Sequence, residues 1–239
     1  MNLPNALSAG RIVITPLIAI LPLASSSTLR LIAFVLFVVA GVSDYADGVL
    51  ARSRKQETNL GKMLDPLADK LLLLGTFVPM YILSGAGPIA GPMRAHPEVF
   101  GVMTRTDGVL PGALAFPFIT FVGAIPLYWW VVLIVLGREL AMTIFRQAAA
   151  RRGVVIAAIG PAKWKTGMQL VWQGAAYFWF FIATMAVERH WANAPWHAFA
   201  LFNGVVGTLT MTVAVVLTLY SLWLYVSRYG HVFAERVRS

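Results

Sequence analysis

Long apolar segments dominate this chain and restrict it to one class of fold. Hydrophobic residues make up 59% of its 239 residues, and only 12% are charged, where a soluble domain has about 25%. Because about 20 apolar residues cross a bilayer as a helix, we predict an all-α integral membrane protein with six transmembrane helices. Their approximate bounds are 11–25, 29–51, 60–83, 125–150, 166–187 and 205–228. A short amphipathic segment at 3–9 is predicted to lie at the membrane interface.

Four of the five aspartates fall within 26 residues of this apolar sequence. Asp44 and Asp47 are spaced i, i+3, and Asp65 and Asp69 are spaced i, i+4, so each pair shares one face of a helix. A carboxylate close to hydrocarbon is costly and therefore indicates a functional site. Four carboxylates repel one another unless cations lie between them, and hard oxygen ligands suit Mg²⁺ or Mn²⁺. We predict a site for two such ions that clamps a diphosphate.

The distribution of Lys and Arg predicts the orientation of the helices. Six spans place both termini on one side, with thirteen basic residues there against four on the other. Cytoplasmic loops carry the excess of Lys and Arg, so both termini and the connection between the two aspartate pairs should be cytoplasmic. We therefore expect a multi-pass protein of the cell inner (cytoplasmic) membrane whose aspartates face the cytoplasm.

Other features of the composition exclude alternatives. The net charge of +9 comes from basic residues at the ends of apolar runs, which favours contact with membrane lipids over nucleic-acid binding. The chain has no cysteine, which excludes a disulfide scaffold and a thiolate metal site. We predict one domain over residues 1–239, with a Gly- and Pro-rich, non-cytoplasmic insertion at about 84–124 that includes a short helix near 97–103.

Small and basic residues accompany the aspartates. Gly48 and Ala51 leave the helix face open to a flat group such as a base or a sugar, and Arg52 offers a planar fork for phosphate oxygens. Gly61 permits close packing or a tight turn. Asp69 is the deepest of the four carboxylates and can take a proton from an incoming hydroxyl. An aspartate-lined ion or proton transporter is the alternative from a different class.

A second group of charged residues lies farther along the chain. Its basic members are Arg138, Arg146, Lys163 and Lys165. Several cationic side chains near one end of the predicted helices suit the binding of an acceptor that carries its own phosphate. Simple anchoring at the cytoplasmic surface is the alternative for Lys163 and Lys165. Arg138 lies within a predicted helix, and Glu139 is its candidate partner.

The aspartate segment resembles a known signature. It reads D-x2-D-G-x2-A-R-x8-G-x3-D-x3-D and matches the CDP-alcohol phosphotransferases at all eight fixed positions. The resemblance implies six membrane helices, a homodimer, and displacement of CMP from a CDP-linked donor by an alcohol. It also implies that Asp44 and Asp65 contact both metal ions, Asp47 the first and Asp69 the second, with Asp69 as the general base. The residues implied to bind the CDP-lipid are Gly48, Ala51, Arg52, Thr58 and Gly61.

Residues outside this signature are similar to the phosphatidylglycerophosphate synthases of that family. The similarity rests on Arg138-Glu139, on Phe145-Arg146-Gln147, on the 161–166 segment PAKWKT and on the opening NLPNALSAGRIVITP. It implies CDP-diacylglycerol as donor and sn-glycerol 3-phosphate as acceptor, giving phosphatidylglycerophosphate and CMP in glycerophospholipid biosynthesis. A cardiolipin, phosphatidylinositol phosphate or phosphatidylserine synthase stays open, because Gln147 and Pro161-Ala162 depart from the expected acid and glycine.

Overall fold

The computed structural model of the chain is built almost entirely of α-helices. It describes residues 3–54, 59–86, 118–125, 127–154, 156 and 160–229, with side chains except those of 3–4, 45–54, 59–60, 62–63, 84–86, 124 and 161–163. These ranges contain six long helices: α1 (Leu3–Ile20), α2 (Ser27–Arg54), α3 (Asn59–Ala86), α4 (Trp129–Ala150), α5 (Gly160–Glu188) and α6 (Ala194–Tyr229). A 3-10 turn at Leu21–Leu23 follows α1, and a hairpin of β1 (Phe118–Thr120) and β2 (Gly123–Ile125) precedes α4.

Five of the described helices are long and apolar enough to cross a membrane. The segments are Asn5–Leu23, Ser27–Asp44, Leu64–Leu83, Trp164–Glu188 and Ala194–Tyr229. The prediction of an α-helical membrane protein is confirmed at this level. Helix α4 has 22 residues but carries Arg138, Glu139 and Arg146. Because charges oppose insertion into hydrocarbon unless they have partners, the predicted count of six spans depends on α4.

The chain forms two compact units, and helices α1, α2 and α3 lie in the first. That unit comprises 1–127 and 173–207, and the second comprises 128–172 and 208–239. Within the first unit α1 packs against both α2 and α3. Gly75 allows α1 to approach α3 closely, because a Cβ there would lie 2.6 Å from Cγ2 of Thr15. This contact holds α1 against the helix that carries Asp65 and Asp69.

Buried polar side chains of α5 connect α1 and α3. The Tyr177 hydroxyl lies 3.1 Å from the carbonyl oxygen of Ile18 and 3.3 Å from that of Gly75. The Gln173 amide donates to the hydroxyl of Thr76 at 2.8 Å. Each of these bonds satisfies a group that has little access to water, so they fix the position of α1 beside α3.

A buried arginine joins α2 to the end of α1. Arg30 is 2% exposed, and its Nε donates to the Pro22 carbonyl at 3.0 Å. The same guanidinium donates through Nη1 to the Thr184 hydroxyl of α5. Arg30 therefore joins these helices through hydrogen bonds to neutral oxygen atoms.

The hairpin is an element that the sequence reading missed. Residues 118–125 belong to the predicted insertion and to the start of the predicted fourth helix, whereas the helix begins only at Trp129. A run of aromatic and β-branched residues and Gly123 at a φ of 112° are the signals of a hairpin. Phe118 and Ile119 pack where α6 has Gly204 and Gly207, since a Cβ at either glycine would overlap them. The predicted helix at 97–103 lies outside the described residues.

Three predicted helix starts are corrected. Helix α1 runs without interruption from Leu3, so 3–9 is not a separate segment; Asn5, Ser8 and Arg11 form one buried row on it. Helix α6 begins at Ala194 rather than near 205 because the Asn193 side chain caps it, accepting from the Trp196 amide at 3.0 Å. Helix α5 begins at Gly160 rather than near 166, with a proline in its first turn, where its missing N–H costs nothing.

Candidate active site

Three of the four predicted aspartates meet at one arginine. Asp44 extends from α2, and Asp65 and Asp69 extend from α3, toward the guanidinium of Arg11 on α1. Arg11 Nη1 donates to Oδ1 of Asp44 and, at 2.9 Å, to Oδ1 of Asp69. Its Nη2 lies 4.0 Å from Oδ1 of Asp65. The predicted convergence of the two helices' aspartates is therefore observed for these three residues.

Burial differs sharply between the cation and the carboxylates. The Arg11 side chain is 1% exposed, while those of Asp44, Asp65 and Asp69 are 41%, 51% and 57% exposed. The aspartates therefore line an open surface, and the arginine forms its floor. A ligand can reach the carboxylates from outside without unpacking a helix.

Helix α1 supplies further polar groups to this site. Ser8 is fully buried and donates its hydroxyl to Oδ1 of Asp65. Ser8 and Arg11 are spaced i, i+3, so they share one face of α1. The Thr15 hydroxyl donates to the Arg11 carbonyl at 2.7 Å, one turn farther along. The α1 face that meets α2 and α3 is thus polar at the site.

The donor chemistry of the carboxylates fits a hard divalent cation. They offer oxygen ligands only, and they already converge on a positive charge. Across the described residues, no group of three or more Asp, Glu, His or Cys side chains is arranged to hold a metal ion. The oxygen atoms are instead spaced around the guanidinium of Arg11. The carboxylates are therefore suitable ligands for a divalent cation, but in this structure their oxygen atoms are positioned around Arg11.

The remaining signature residues are placed only in part. Asp47, Gly48, Ala51 and Arg52 lie in the last turns of α2, but their side chains are outside the described part of the chain. Thr58 is also outside the described residues. Gly61 lies in the first turn of α3 and is buried. The signature therefore occupies the end of one helix and the start of the next, as the sequence predicts.

The second unit contains a cluster of opposite sign. Arg138 of α4 is 7% exposed, and its Nη1 donates to Oε1 of Glu139 at 3.0 Å. Lys165 of α5 is also buried and pairs with the same carboxylate oxygen. Arg138 Nη2 donates to the Ser221 hydroxyl of α6 at 3.0 Å. The predicted Arg138–Glu139 pair is confirmed, and Lys165 joins it.

The other two predicted acceptor residues differ from each other. The Arg146 guanidinium lies over the ring of Tyr225, 5.7 Å from its centroid, and its Nη2 is 3.4 Å from the hydroxyl. Lys163 lies in the first turn of α5, and its side chain is not among those that the structure describes. Buried Gln169, in the same helix, has no hydrogen-bond partner for Oε1 among the residues that the structure describes.

Arg11 and Ser8 are site residues that the sequence reading missed. The sequence analysis counts Arg11 among the cytoplasmic basic residues and in the opening NLPNALSAGRIVITP, and it gives Arg11 no role beside the aspartates. The available signal was its position inside an apolar helix, where a charged residue needs a specific partner. The four aspartates were the obvious candidates for that partner.

Comparison with known proteins decides the family. A sequence profile described as CDP-alcohol phosphatidyltransferase matches residues 1–97 and 105–227. The chain belongs to this family. The match includes the aspartate signature and the Arg138–Lys165 segment. The family resemblance found in the sequence is confirmed, and so is the prediction that the protein is an enzyme rather than a transporter.

Individual CDP-alcohol phosphatidyltransferases narrow the comparison. The chain is similar to a protein of Bacillus subtilis named CDP-diacylglycerol–glycerol-3-phosphate 3-phosphatidyltransferase, at 28% identity over 95% of the chain and 94% of that protein. A Mycobacterium tuberculosis protein named probable phosphatidylglycerophosphate synthase is 30% identical over 71% of the chain and 63% of its own length. A Rickettsia typhi protein with the first name is 44% identical over 30% of the chain and 40% of its own length.

Proposed function

We propose that this chain transfers the phosphatidyl group of CDP-diacylglycerol to sn-glycerol 3-phosphate, giving phosphatidylglycerophosphate and CMP. The observation that carries the proposal is the meeting of Asp44, Asp65 and Asp69 from two helices in the order of the family signature. Family membership and the names of the relatives support the donor and the acceptor.

The proposed metal site uses all four aspartates. Asp44, Asp47, Asp65 and Asp69 would hold two Mg²⁺ or Mn²⁺ ions, which supply charge neutralisation for the diphosphate of the donor. The open exposure of Asp44, Asp65 and Asp69 supports this assignment, because a diphosphate must approach from solvent. The proposal adds Asp47 from its helical spacing to Asp44.

Asp69 is the proposed general base. The sequence predicts it to be the deepest of the aspartates, but its side chain is the most exposed of the three described ones. This exposure supports access of an acceptor hydroxyl to its carboxylate. As the hydroxyl oxygen bonds to the phosphorus next to the diacylglycerol, its proton passes to Asp69. The phosphorus–oxygen bond to CMP breaks, and CMP leaves with the bonding electrons.

Donor binding is proposed for the end of α2, the start of α3 and the short connection between them. Gly48 and Ala51 leave room for the cytidine, and Arg52 and Thr58 provide donors for its phosphates. Gly61 is buried at the start of α3, which supports a role in close packing beneath the nucleotide. The acyl chains of the donor remain among the membrane lipids.

The basic cluster is proposed to bind the phosphate of the acceptor. Arg138, Arg146, Lys163 and Lys165 would provide the charge, and Glu139 fixes two of these side chains in place. Arg146 stacks on Tyr225, which orients its guanidinium plane. An uncharged acceptor such as serine would have no use for this cluster.

The membrane arrangement follows from the same proposal. All six helices would cross the cell inner membrane, with both termini and the aspartates on the cytoplasmic side. Arg138 of α4 has partners in Glu139 of the same helix and Ser221 of α6. These partners support insertion of α4 despite its charges. The residues would form one domain with an insertion at 84–124, and the protein would act as a homodimer.

An acceptor panel tests the function. Purified protein with Mg²⁺ and CDP-diacylglycerol is offered glycerol 3-phosphate, inositol phosphate, serine or phosphatidylglycerol, and release of CMP is measured. We expect release with glycerol 3-phosphate at least tenfold above the others; about 1.4 kcal/mol of differential binding to the basic cluster is enough for that ratio. Inositol phosphate is the second candidate, because it also carries a phosphate. Release with serine alone would contradict the proposal.

A further inference from the structure

One cationic side chain lies inside the carboxylate cluster, and the proposed chemistry gives it no role. Arg11 comes from α1, and its side chain is almost completely buried. We propose that Arg11 is the resident counter-ion of the aspartate site. It holds Asp44, Asp65 and Asp69 together before a divalent ion binds, and it competes with that ion for the same oxygen atoms. This inference rests on the metal site of the proposed function.

The contacts show that the arginine and a metal would need the same ligands. Arg11 reaches Oδ1 of Asp44, of Asp65 and of Asp69. An arginine N–H binds a carboxylate oxygen at about 2.8 Å, whereas Mg²⁺ binds it at about 2.1 Å. The oxygen atoms must therefore move away from the guanidinium when they close around an ion. Some of the Arg11 hydrogen bonds are lost in that step.

Packing prevents the arginine from withdrawing with its helix. Thr15 bonds to the Arg11 carbonyl and contacts the α3 backbone at Gly75. Tyr177 ties the next turn of α1 to the same position of α3. Because α1 is fixed at this point, the positive charge stays within a few ångströms of the ions. Its repulsion weakens metal binding.

The same charge stabilises the site when no ion is bound. Three carboxylates that share one buried cation lose their common partner if Arg11 is replaced, and they then repel one another. Replacement of Arg11 should thus have two opposite effects. It lowers the thermal stability of the metal-free protein, and it tightens the binding of the metal. A purely structural arginine would produce only the first effect.

The test compares Arg11→Gln and Arg11→Lys with the wild type and with Arg30→Gln, using the full-length protein in detergent. Arg30 is a matched control, since it is equally buried but bonds to neutral oxygen atoms. The Kd for Mn²⁺ alone is measured by electron paramagnetic resonance, and the melting temperature is measured in EDTA and in saturating Mn²⁺.

We expect Arg11→Gln to bind Mn²⁺ about tenfold more tightly, since the metal no longer has to replace charge-assisted hydrogen bonds. Its melting temperature falls in EDTA, and the gain on adding Mn²⁺ becomes larger than in the wild type. Arg11→Lys keeps the positive charge but lacks the planar guanidinium, so its Kd for Mn²⁺ should lie between those of the wild type and Arg11→Gln. Arg30→Gln melts lower by the same amount in both conditions, with an unchanged Kd.

An unchanged or weaker Kd in Arg11→Gln would overturn the inference. If that variant does not fold, a Kd for Arg11→Lys equal to the wild-type value overturns it instead. Failure of the wild type itself to bind Mn²⁺ would reject the proposed metal site as well. Binding by the wild type with no response in either Arg11 variant rejects the counter-ion role alone.

Discussion

Two ionic clusters among the described residues are opposite in composition. In the first unit, three carboxylates surround one cation, Arg11. In the second unit, two buried cations share one carboxylate, Glu139. The acidic cluster keeps uncompensated negative charge on half-exposed side chains, and the basic cluster keeps positive charge on buried ones. We propose that each excess attracts a different ligand, a divalent cation at the acidic cluster and a phosphate at the basic cluster.

In each cluster, the side chain of the minority charge sets the geometry of the others. Arg11 lies between helices α2 and α3, and Glu139 holds a residue of α4 and a residue of α5. A cluster of like charges without such a partner would separate or draw in water. In the proposed function the residues of the majority charge bind the ligand, and the residue of the minority charge keeps them in place.

The largest effect should come from Asp69→Asn. We expect a loss of turnover of at least about a thousandfold, since the change removes the proposed base and one metal ligand, while CDP-diacylglycerol binding is largely retained. CMP release and donor binding are measured separately. Glu188→Gln serves as the control, because Glu188 is an exposed carboxylate bonded to Ser27. Near wild-type activity of Asp69→Asn in Mg²⁺ would show that the acidic cluster is not the reaction centre.

A second large effect should come from removal of a cation in the basic cluster. Arg138→Ala or Arg146→Ala should raise the KM for glycerol 3-phosphate at least tenfold, with less than a twofold change for CDP-diacylglycerol, because a charge-assisted phosphate contact contributes about 1.5–3 kcal/mol. Arg30→Ala is the control, a buried arginine outside the cluster. An equal rise in both KM values would remove the distinction between the clusters.

A smaller effect should follow from Glu139→Gln. Arg138 and Lys165 lose their shared carboxylate, so their positions loosen and their mutual repulsion increases. We expect a lower melting temperature and a KM for glycerol 3-phosphate raised about three- to tenfold, an effect of about 1 kcal/mol. An unchanged melting temperature together with an unchanged KM would refute the positioning role of Glu139.

The smallest effect should come from Ser8→Ala. The hydroxyl of Ser8 bonds to Asp65, and its loss leaves the carboxylate less firmly oriented. We expect kcat to fall about three- to fivefold, as for one hydrogen bond of about 1 kcal/mol. Ser43→Ala is a matched control next to Asp44, because the Ser43 hydroxyl bonds to its own helix at the Ala40 carbonyl, 2.9 Å away. Equal effects of the two changes would argue against the role of Ser8.

Much of the acidic cluster was predictable because its information is local. The spacing of Asp65 and Asp69 fixes one helix face, and a turn predicted before Gly61 would bring Asp44 back toward them. The Arg138–Glu139 pair was predictable for the same reason, since the two residues are neighbours. The apolar runs also placed the middle of each long helix correctly.

The parts that were missed depend on contacts between distant residues. Arg11 precedes Asp44 by 33 positions and Asp69 by 58, and only the packing of α1 shows that they meet. Ser221 reaches Arg138 across 83 positions in the same way. The hairpin at 118–125 lacks a strong alternating pattern, and its place is set by the glycines of α6. The local sequence does not show which distant residues these side chains contact.

Anomalous diffraction from crystals grown with Mn²⁺ tests the central claim most directly. The account predicts anomalous density bounded by the carboxylates of Asp44, Asp65 and Asp69, with manganese–oxygen distances of about 2.1–2.2 Å. It also predicts that the Arg11 guanidinium has moved away from at least one of those oxygen atoms. Manganese bound elsewhere, or absent from these carboxylates at saturating concentration, would contradict it.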